Sequence, residues 1–243
     1  MILPDYQKKT MEKPMRRLTN FALIAALTGL VMMPFVRRVV TIPEARAQGA
    51  QDKAAAKPAY LPIPGGDYRM DVAHSVIGFS ILHNELALVK GRFKDFTGTI
   101  HLDDKDITKS AVEFTAKIES IDTGVEGRDK HLRTADFFDA AQFPEMSFKS
   151  TRVEQKGKSY VLHGDLTIKG VSKPVALPFT LTGAIKDGRG NTRIGIAAQT
   201  KIDRRDFGIT WGHALPGGGF DVAHDVSIDL QMEAFQPAPK PAN

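Results

Sequence analysis

The chain has 243 residues, with 33 Lys and Arg against 28 Asp and Glu. Residues 1–47 hold eight basic and three acidic residues, so the remainder has 25 of each sign and lacks the cation surplus that a nucleic-acid partner would need. The chain has no cysteine, which excludes disulfides, thiolate catalysis, cysteine-ligated zinc, iron–sulfur clusters and a lipidated N-terminal cysteine.

Residues 1–47 are typical of a secretory signal peptide. A basic segment precedes an uncharged, mostly apolar stretch at 18–36, and an Ala-Arg-Ala sequence at the end fits a cleavage site. Cleavage would make Gln48 the first residue of an exported, periplasmic protein. The alternative is an uncleaved anchor, because the apolar stretch is nearly long enough to span a bilayer. Translation from Met11 or Met15 would preserve the same pattern.

The remaining chain divides into one domain with flanking segments. Residues 48–66 are rich in Ala, Pro, Lys and Gly, which predicts a flexible linker. Residues 237–243 are similar and are expected to be a disordered tail. The folded unit is therefore 67–236, the size of one ordinary domain.

Alternation of apolar and polar residues predicts strands through most of 67–236. It is clear in 111–119, 160–169, 194–202 and 226–234. Another long strand is predicted to have six inward residues, namely Val175, Leu177, Phe179, Leu181, Gly183 and Ile185. Short turns join consecutive strands, so neighbouring strands are expected to be antiparallel.

About eight to ten long strands with one apolar face favour a closed up-and-down barrel over a Greek-key sandwich, because closure removes exposed edges. Residues 124–143 interrupt the alternation. Charges come first, and Phe137, Phe138 and Phe143 follow. This segment predicts a short helix that acts as a lid on one end of the barrel.

Two interpretations of the barrel interior remain open. A barrel of about eight strands is either filled by its side chains or holds one small ligand. Small residues at inward positions would leave room for a ligand, or they would lie opposite large residues in a packed core and at bends. The lid segment favours the hollow barrel. The small inward residues are Gly98, Ala116, Gly164, Gly183 and Ala198.

The sequence contains no recognisable catalytic motif, and its seven histidines have no close metal-ligand spacing. The densest polar cluster includes Arg128 and His131, which suit hydrogen bonds to the polar headgroup of a ligand. Alternatively, this cluster stabilises a helix start, with Arg128 and Arg133 paired to Asp136 or Asp139. No catalytic residue and no metal site is predicted.

An ordered set of motifs, spread over 67–235, resembles the YceI-like family of exported, lipocalin-like proteins. Each motif is weak alone, but their order is specific. The motifs are Tyr68-Arg69-Met70-Asp71-Val72-Ala73-His74-Ser75, Gly91-Arg92-Phe93, Ile121-Asp122-Thr123, Arg128-Asp129-Lys130-His131-Leu132, Asp136-Phe137-Phe138-Asp139, Phe143-Pro144, Gly164-Asp165-Leu166-Thr167-Ile168-Lys169-Gly170-Val171 and Asp203-Arg204-Arg205-Asp206-Phe207-Gly208.

The resemblance implies an all-β, antiparallel, eight-stranded lipocalin-like barrel whose apolar pore holds a polyisoprenoid, such as an isoprenoid quinone or a prenyl phosphate. Some relatives are associated with fatty-acid-like amphiphiles instead. We therefore expect a periplasmic lipid carrier without catalytic activity, and no cofactor besides the bound polyisoprenoid or quinone-like lipid. A polar headgroup is expected near Arg128, His131 and His83. The expected pore lining is Phe79, Phe93, Phe114, Phe137, Phe138, Phe148, Leu166, Phe179, Ile196 and Trp211.

Other interpretations of the sequence remain. An enzyme could act on a lipid or quinone in the same pocket, with His131 and Asp129 as its acid–base pair. A structural protein of an envelope complex would have a solid core and no cavity. Transient membrane contact and a homodimer are further interactions that the sequence leaves open.

Overall fold

The computed structural model describes residues 60, 62–157 and 159–238, which form one β-barrel. The predicted signal peptide, most of the predicted linker and residues 239–243 of the predicted tail lie outside the described residues. Within the described residues, no helix has the length and apolar character needed to cross a membrane.

Eleven strands and one α-helix make up the described chain. The helix predicted within 124–143 is confirmed as α1 (Glu126–Leu132), whereas β3 has no counterpart among the predicted strands, because its first residues form an unbroken apolar run. The strands are β1 (Gly66–Met70), β2 (Val76–His83), β3 (Ala87–Phe93), β4 (Phe96–Leu102), β5 (Ala111–Lys117), β6 (Ile121–Asp122), β7 (Glu145–Lys156), β8 (Ser159–Ile168), β9 (Val171–Lys186), β10 (Thr192–Asp203) and β11 (Val222–Gln236).

The first six strands combine into three broken strands. β1 and β2 lie end to end and both pair with β11. In the next broken strand, β4 pairs with β1 and β3 pairs with β2. In the third, β5 pairs with β4 and β6 pairs with β3. Short 3-10 turns at Val72–His74 and Ile118–Ser120 interrupt two of them, and two residues separate β3 from β4. Together with β7 to β11, the three broken strands make an eight-stranded barrel.

The barrel is closed and antiparallel, as predicted. Each strand from β7 to β11 pairs with the next one in the chain. β11 then pairs with β1 through Arg69 and Phe235 and with β2 through residues such as Ile228 and Phe79, which completes the ring. Closure leaves few strand edges open to another chain.

An ionic cluster fastens the closing seam between β1, β10 and β11. The Arg193 guanidinium contacts Asp71 at 2.7 Å, Asp187 at 2.9 Å and the carboxylate of Glu233. Hydrogen bonding from Arg193 is the main reason that the pKa of Asp71 falls to about 2, with a further contribution from His74. The same guanidinium lowers the pKa of Asp187. The cluster therefore joins three strands through charge-assisted hydrogen bonds.

Two residues of β9 that were predicted to face inward, Gly183 and Ile185, face outward. Gly183 pairs with Gly195, next to the buried pair of Ala184 and Ile194. The register between β9 and β10 shifts beside Gly183, which has a φ of +141° and lies against the ring of Tyr60. A bulge of this kind reverses the faces of the residues that follow. Ala184 is consequently buried, whereas Ile185 is 38% exposed instead of facing the interior.

The barrel end where β1 begins and β11 ends, here called the terminal end, is filled by side chains. Tyr68 is fully buried there, and its hydroxyl donates a hydrogen bond of 2.7 Å to the carbonyl oxygen of Pro64. This filling closes one end of the interior. The buried cluster around it consists of Ile100, Leu102, Ala184, Ile194 and Ala234.

At the opposite end, residues 123–143, here called the plug segment, occupy a gap in the barrel wall. β6 pairs with β3 at only two positions and ends at Asp122, so no strand continues the wall between β3 and the β8–β9 turn. The plug segment bridges this gap: Thr123 lies near Gly91, and Lys169 donates a hydrogen bond of 2.7 Å to the Ala135 carbonyl. The predicted lid is thus part of the wall as well as a cover.

Candidate ligand cavity

The barrel interior contains two adjoining apolar spaces. The upper lobe, next to the plug segment, has a volume of about 150 Å³, and the lower lobe, towards the termini, has a volume of about 80 Å³. They meet at a waist where the rings of Phe114 and Phe148 stack with centroids 5.8 Å apart. The interior is therefore hollow on both sides of an aromatic constriction. Both lobes are lined by Ile77, Phe114, Phe148, Leu177 and Leu230.

The wall of the cavity is almost wholly apolar. Among the described lining residues, the polar side chains are Thr200 and Arg204 in the upper lobe and Ser110 in the lower lobe. The Thr200 hydroxyl donates a hydrogen bond of 2.9 Å to the Ala176 carbonyl, and the Ser110 hydroxyl accepts one of 3.0 Å from the Asp103 amide. These polar atoms are already satisfied by the protein, so an apolar ligand meets hydrocarbon on nearly every side.

Arg204 is only 5% exposed, and its guanidinium is directed into the loop between β10 and β11. Each of its three nitrogens donates to a backbone carbonyl, at 2.8 Å to Ala223, 2.8 Å to Ile209 and 2.9 Å to Val222. Burial lowers the pKa of Arg204. The side chain satisfies buried carbonyls that would otherwise be costly, and it holds the loop that covers part of the upper lobe.

The small inward residues make room for large neighbours. A β-carbon on Gly164 would lie 2.5 Å from the ring of Phe148, and one on Gly98 would lie 2.5 Å from the sulfur of Met70. The packed-core interpretation therefore holds at these two glycines. The hollow interpretation holds for the barrel as a whole, and Ala198 borders the lower lobe.

Nine of the ten residues predicted to line the pore do border a lobe. Trp211 borders neither and packs against the rings of Phe137 and His131, each with a centroid distance of 5.1 Å. Ligand contact by any of these residues stays a prediction. The upper lobe has Phe79, Phe93, Phe114, Phe137, Phe138, Phe148 and Leu166, and the lower lobe has Phe114, Phe148, Phe179 and Ile196.

The polar cluster at α1 fastens the helix to the end of β6. The guanidinium of Arg128 donates to the hydroxyl of Thr123 at 2.7 Å and to its carbonyl at 2.8 Å. The buried carboxylate of Asp129 accepts a hydrogen bond of 2.9 Å from the Thr123 amide. These contacts tie the first turns of α1 to the residue after β6, although the N-cap residue, Val125, has no side-chain capping hydrogen bond.

The predicted ion pairs of this cluster are wrong in detail. Arg133 contacts Glu119 at 3.4 Å, rather than Asp136 or Asp139, because its side chain reaches back towards the end of β5. Asp136 lies 2.9 Å from the Nε2 atom of His131.

None of the three predicted headgroup residues borders either lobe. Arg128 is engaged with Thr123, His131 packs between aromatic rings, and His83 is exposed at the end of β2. Their contact with a headgroup stays a prediction. The proposed acid–base pair is also separated: His131 pairs with Asp136, while Asp129 is bound by Thr123. Among the described residues, no three His, Asp or Glu side chains form a group that could hold a metal ion.

Some cavity residues were not predicted. The alternation of β2 places Ile77 and Ile81 on the same face as Phe79, so their inward position could have been inferred from the sequence. Arg204 begins a short 3-10 helix (Arg204–Phe207) and Ile209 follows it, so the alternation of a strand does not indicate which of their side chains face inward. The other lining residues that were not named in advance include Leu132, Phe207, Val222, Val226 and Ile228.

Comparisons with known proteins agree with this architecture. Residues 68–234 match the family model described as the YceI-like domain. A UPF0312 protein of Photorhabdus laumondii is 43% identical over 143 residues, which cover 58% of this chain and 74% of that protein.

Two solved structures share the fold. A YceI protein of Campylobacter jejuni has a TM-score of 0.54 and 27% identity, covering 76% of this chain and 95% of that one. A polyisoprenoid-binding domain of Saccharophagus degradans has a TM-score of 0.52 and 16% identity, covering 71% of this chain and 98% of that one.

Proposed function

Since the chain belongs to the YceI-like family, we propose that it binds a long apolar lipid inside the barrel and carries it through the periplasm without chemical change. The best candidate ligand is a polyisoprenoid, namely an isoprenoid quinone or a prenyl phosphate. Export rests on the signal-peptide pattern of residues 1–47. The solved polyisoprenoid-binding domain with the same fold supports this class of ligand.

The apolar wall of the two lobes is the observation that carries the proposal. Burial of hydrocarbon contributes about 25 cal/mol per Å² of apolar surface before the cost of association. A wall with no free polar atom binds a hydrocarbon chain without leaving a buried group unsatisfied. The same wall offers no acid or base inside the cavity, which favours a carrier over an enzyme.

The size of the lobes indicates that a long chain must displace side chains. An apolar cavity of about 150 Å³ holds a molecule the size of benzene. A polyisoprenoid is many times longer, so it would have to part the stacked rings of Phe114 and Phe148 and occupy both lobes. A headgroup would remain at the plug end, because the terminal end is filled around Tyr68.

The test is native mass spectrometry of the protein purified from its own host without detergent. We expect a co-purifying lipid with a repeating isoprenoid chain. The Ala198→Phe variant fills the lower lobe and should reduce the amount of bound lipid, whereas Ala197→Phe, on the outer face of the same strand, should not. A wild-type protein that carries no lipid and binds no hydrophobic ligand would refute the proposal.

A second measurement separates the carrier from an enzyme. The extracted lipid is compared before and after prolonged incubation with the protein. A carrier returns it unchanged, and the appearance of a product would show that the pocket catalyses a reaction.

A further inference from the structure

Three exposed apolar side chains lie at the plug end of the barrel. Leu86 and Leu88, at the tip of the β2–β3 hairpin, are 85% and 59% exposed, and Phe220, in the loop before β11, is 37% exposed. Scattered exposed apolar residues are normal, but a group at one place marks an interaction surface. We call these three residues the rim cluster.

Hydrogen bonds join the two loops that carry the rim cluster. The amide of Phe220 donates a hydrogen bond of 3.1 Å to the Glu85 carboxylate, which joins the hairpin to the loop before β11. The amide of Asn84 also donates to the Asp221 carbonyl at 2.8 Å.

The rim cluster lies at the plug end of the cavity. The upper lobe reaches Ile81 and Val222, and Val222 pairs with His83, the last residue before the hairpin turn. The opposite end is filled by the buried cluster around Tyr68. A lipid that enters along the barrel axis therefore has to pass between the rim cluster and the plug segment.

Basic residues follow the exposed leucines on the outer face of β3. Lys90, Arg92 and Lys94 continue from Leu88 at every second position, so they share one face. Arg92 and Lys94 both lie 3.6 Å from the single carboxylate of Asp122. Lys90 has no acidic partner within 4 Å among the described residues. Even when the Glu85 carboxylate of the hairpin is counted together with Asp122, the three basic residues leave this face net positive behind the apolar tip.

We propose that the rim cluster docks onto the surface of an anionic phospholipid bilayer, with Leu86 and Leu88 inserted between headgroups and Lys90 against lipid phosphates. An apolar tip with a basic collar is the composition that binds such an interface. Docking in this orientation places the mouth of the cavity against the membrane. The inference rests on the proposed lipid-carrier function, since a carrier has to exchange its ligand with a bilayer.

The test is flotation of residues 48–243 with vesicles made of equal parts phosphatidylcholine and phosphatidylglycerol. This form contains every strand of the barrel, from β1 to β11, and lacks the apolar stretch at 18–36 that would bind vesicles by itself. The wild type should float with the vesicles. The double variant Leu86→Ser/Leu88→Ser should bind at least tenfold more weakly.

Matched control variants distinguish the rim cluster from other exposed apolar and basic residues. Ile185→Ser removes an exposed apolar side chain at the other end of the barrel and should bind like the wild type. Lys90→Gln should weaken binding to these vesicles, whereas Lys105→Gln, in the β4–β5 connection, should not. Thermal unfolding of each variant verifies that it is folded, which is expected because the replaced side chains are exposed.

The outcomes distinguish the two proposals. Equal flotation of the wild type and the double variant, or no flotation of the wild type, would overturn membrane docking. A wild-type dimer that the double variant dissociates would identify a second copy as the occupant and would overturn it also. The lipid carried by the double variant is measured separately by mass spectrometry, so docking can fail while the carrier function stands.

Discussion

Replacing Asp71 by asparagine removes one carboxylate from the ionic cluster at the closing seam of the barrel. The Asp71 side chain is 13% exposed, and Arg193 and His74 lower its pKa from 3.8 to about 2. A difference of this size between the unfolded and the folded chain corresponds to about 2 kcal/mol. We therefore expect Asp71→Asn to lower the free energy of unfolding by about 2 kcal/mol at pH 7.

The pH dependence follows from the direction of the shift. The folded chain holds Asp71 as a carboxylate more strongly than the unfolded chain does, so its contribution is complete above pH 4. It is lost as the pH falls towards 2, because both states then become protonated. The stability difference between the wild type and Asp71→Asn should therefore shrink between pH 4 and pH 2.

Urea unfolding followed by circular dichroism measures this difference at several pH values. Asp67→Asn is the matched control, since this carboxylate is largely exposed and pairs with His101 at the surface, where ion pairs contribute little. A difference that stays constant down to pH 2, or an equal loss in the control, would refute the assignment of this stability to the seam.

Three further predictions address the cavity and its walls. Gly164→Ala should destabilise the protein by about 1–3 kcal/mol in urea unfolding and reduce bound lipid, because the new β-carbon would push the ring of Phe148 into the waist; Gly188→Ala, which meets no atom within 4 Å, should do neither. Decylubiquinone should quench the emission of Trp211, the single tryptophan, because Trp211 contacts a ring that lines the upper lobe; unchanged emission upon saturation would contradict this placement. Arg204→Met should lower the free energy of unfolding by about 3 kcal/mol, since three carbonyls lose their donor; a shift below 1 kcal/mol in calorimetry would show that water replaces it.

Much of the barrel could be predicted because a strand with one buried face imposes a period of two on the sequence. β8 and β11 follow this rule along their length. β9 shows where it fails: a bulge shifts the pattern by one residue, and Gly183 alone does not reveal that Ile185 turns outward. Alternation also does not predict β3, because the exposed Leu88 stands on its outer face, where a polar residue would be expected.

The site was predicted less completely, for a different reason. A large side chain on the inner face of a strand points into the barrel, where the cavity lies. Phe79 and Phe148 could therefore be identified from alternation. Polar residues at a helix start have two uses, and their sequence cannot separate ligand contact from capping. The sequence therefore does not reveal that the guanidinium of Arg128 donates its hydrogen bonds to Thr123. The burial of Arg204 has no sequence signal, because it depends on a loop that folds back over it.

The plug segment gives the barrel two kinds of wall. The backbone–backbone hydrogen bonds within residues 124–143 close inside the segment, for example from Phe138 to Leu132 and from Ala140 to Arg133, whereas the strands around it are bonded to their neighbours. Displacement of this segment would break side-chain packing and the hydrogen bonds of Lys169 and Arg133, and it would leave the inter-strand ladder intact. Under the proposed function, the rate of ligand exchange and the resistance to global unfolding would therefore depend on different parts of the molecule, and selection could adjust the first without weakening the second.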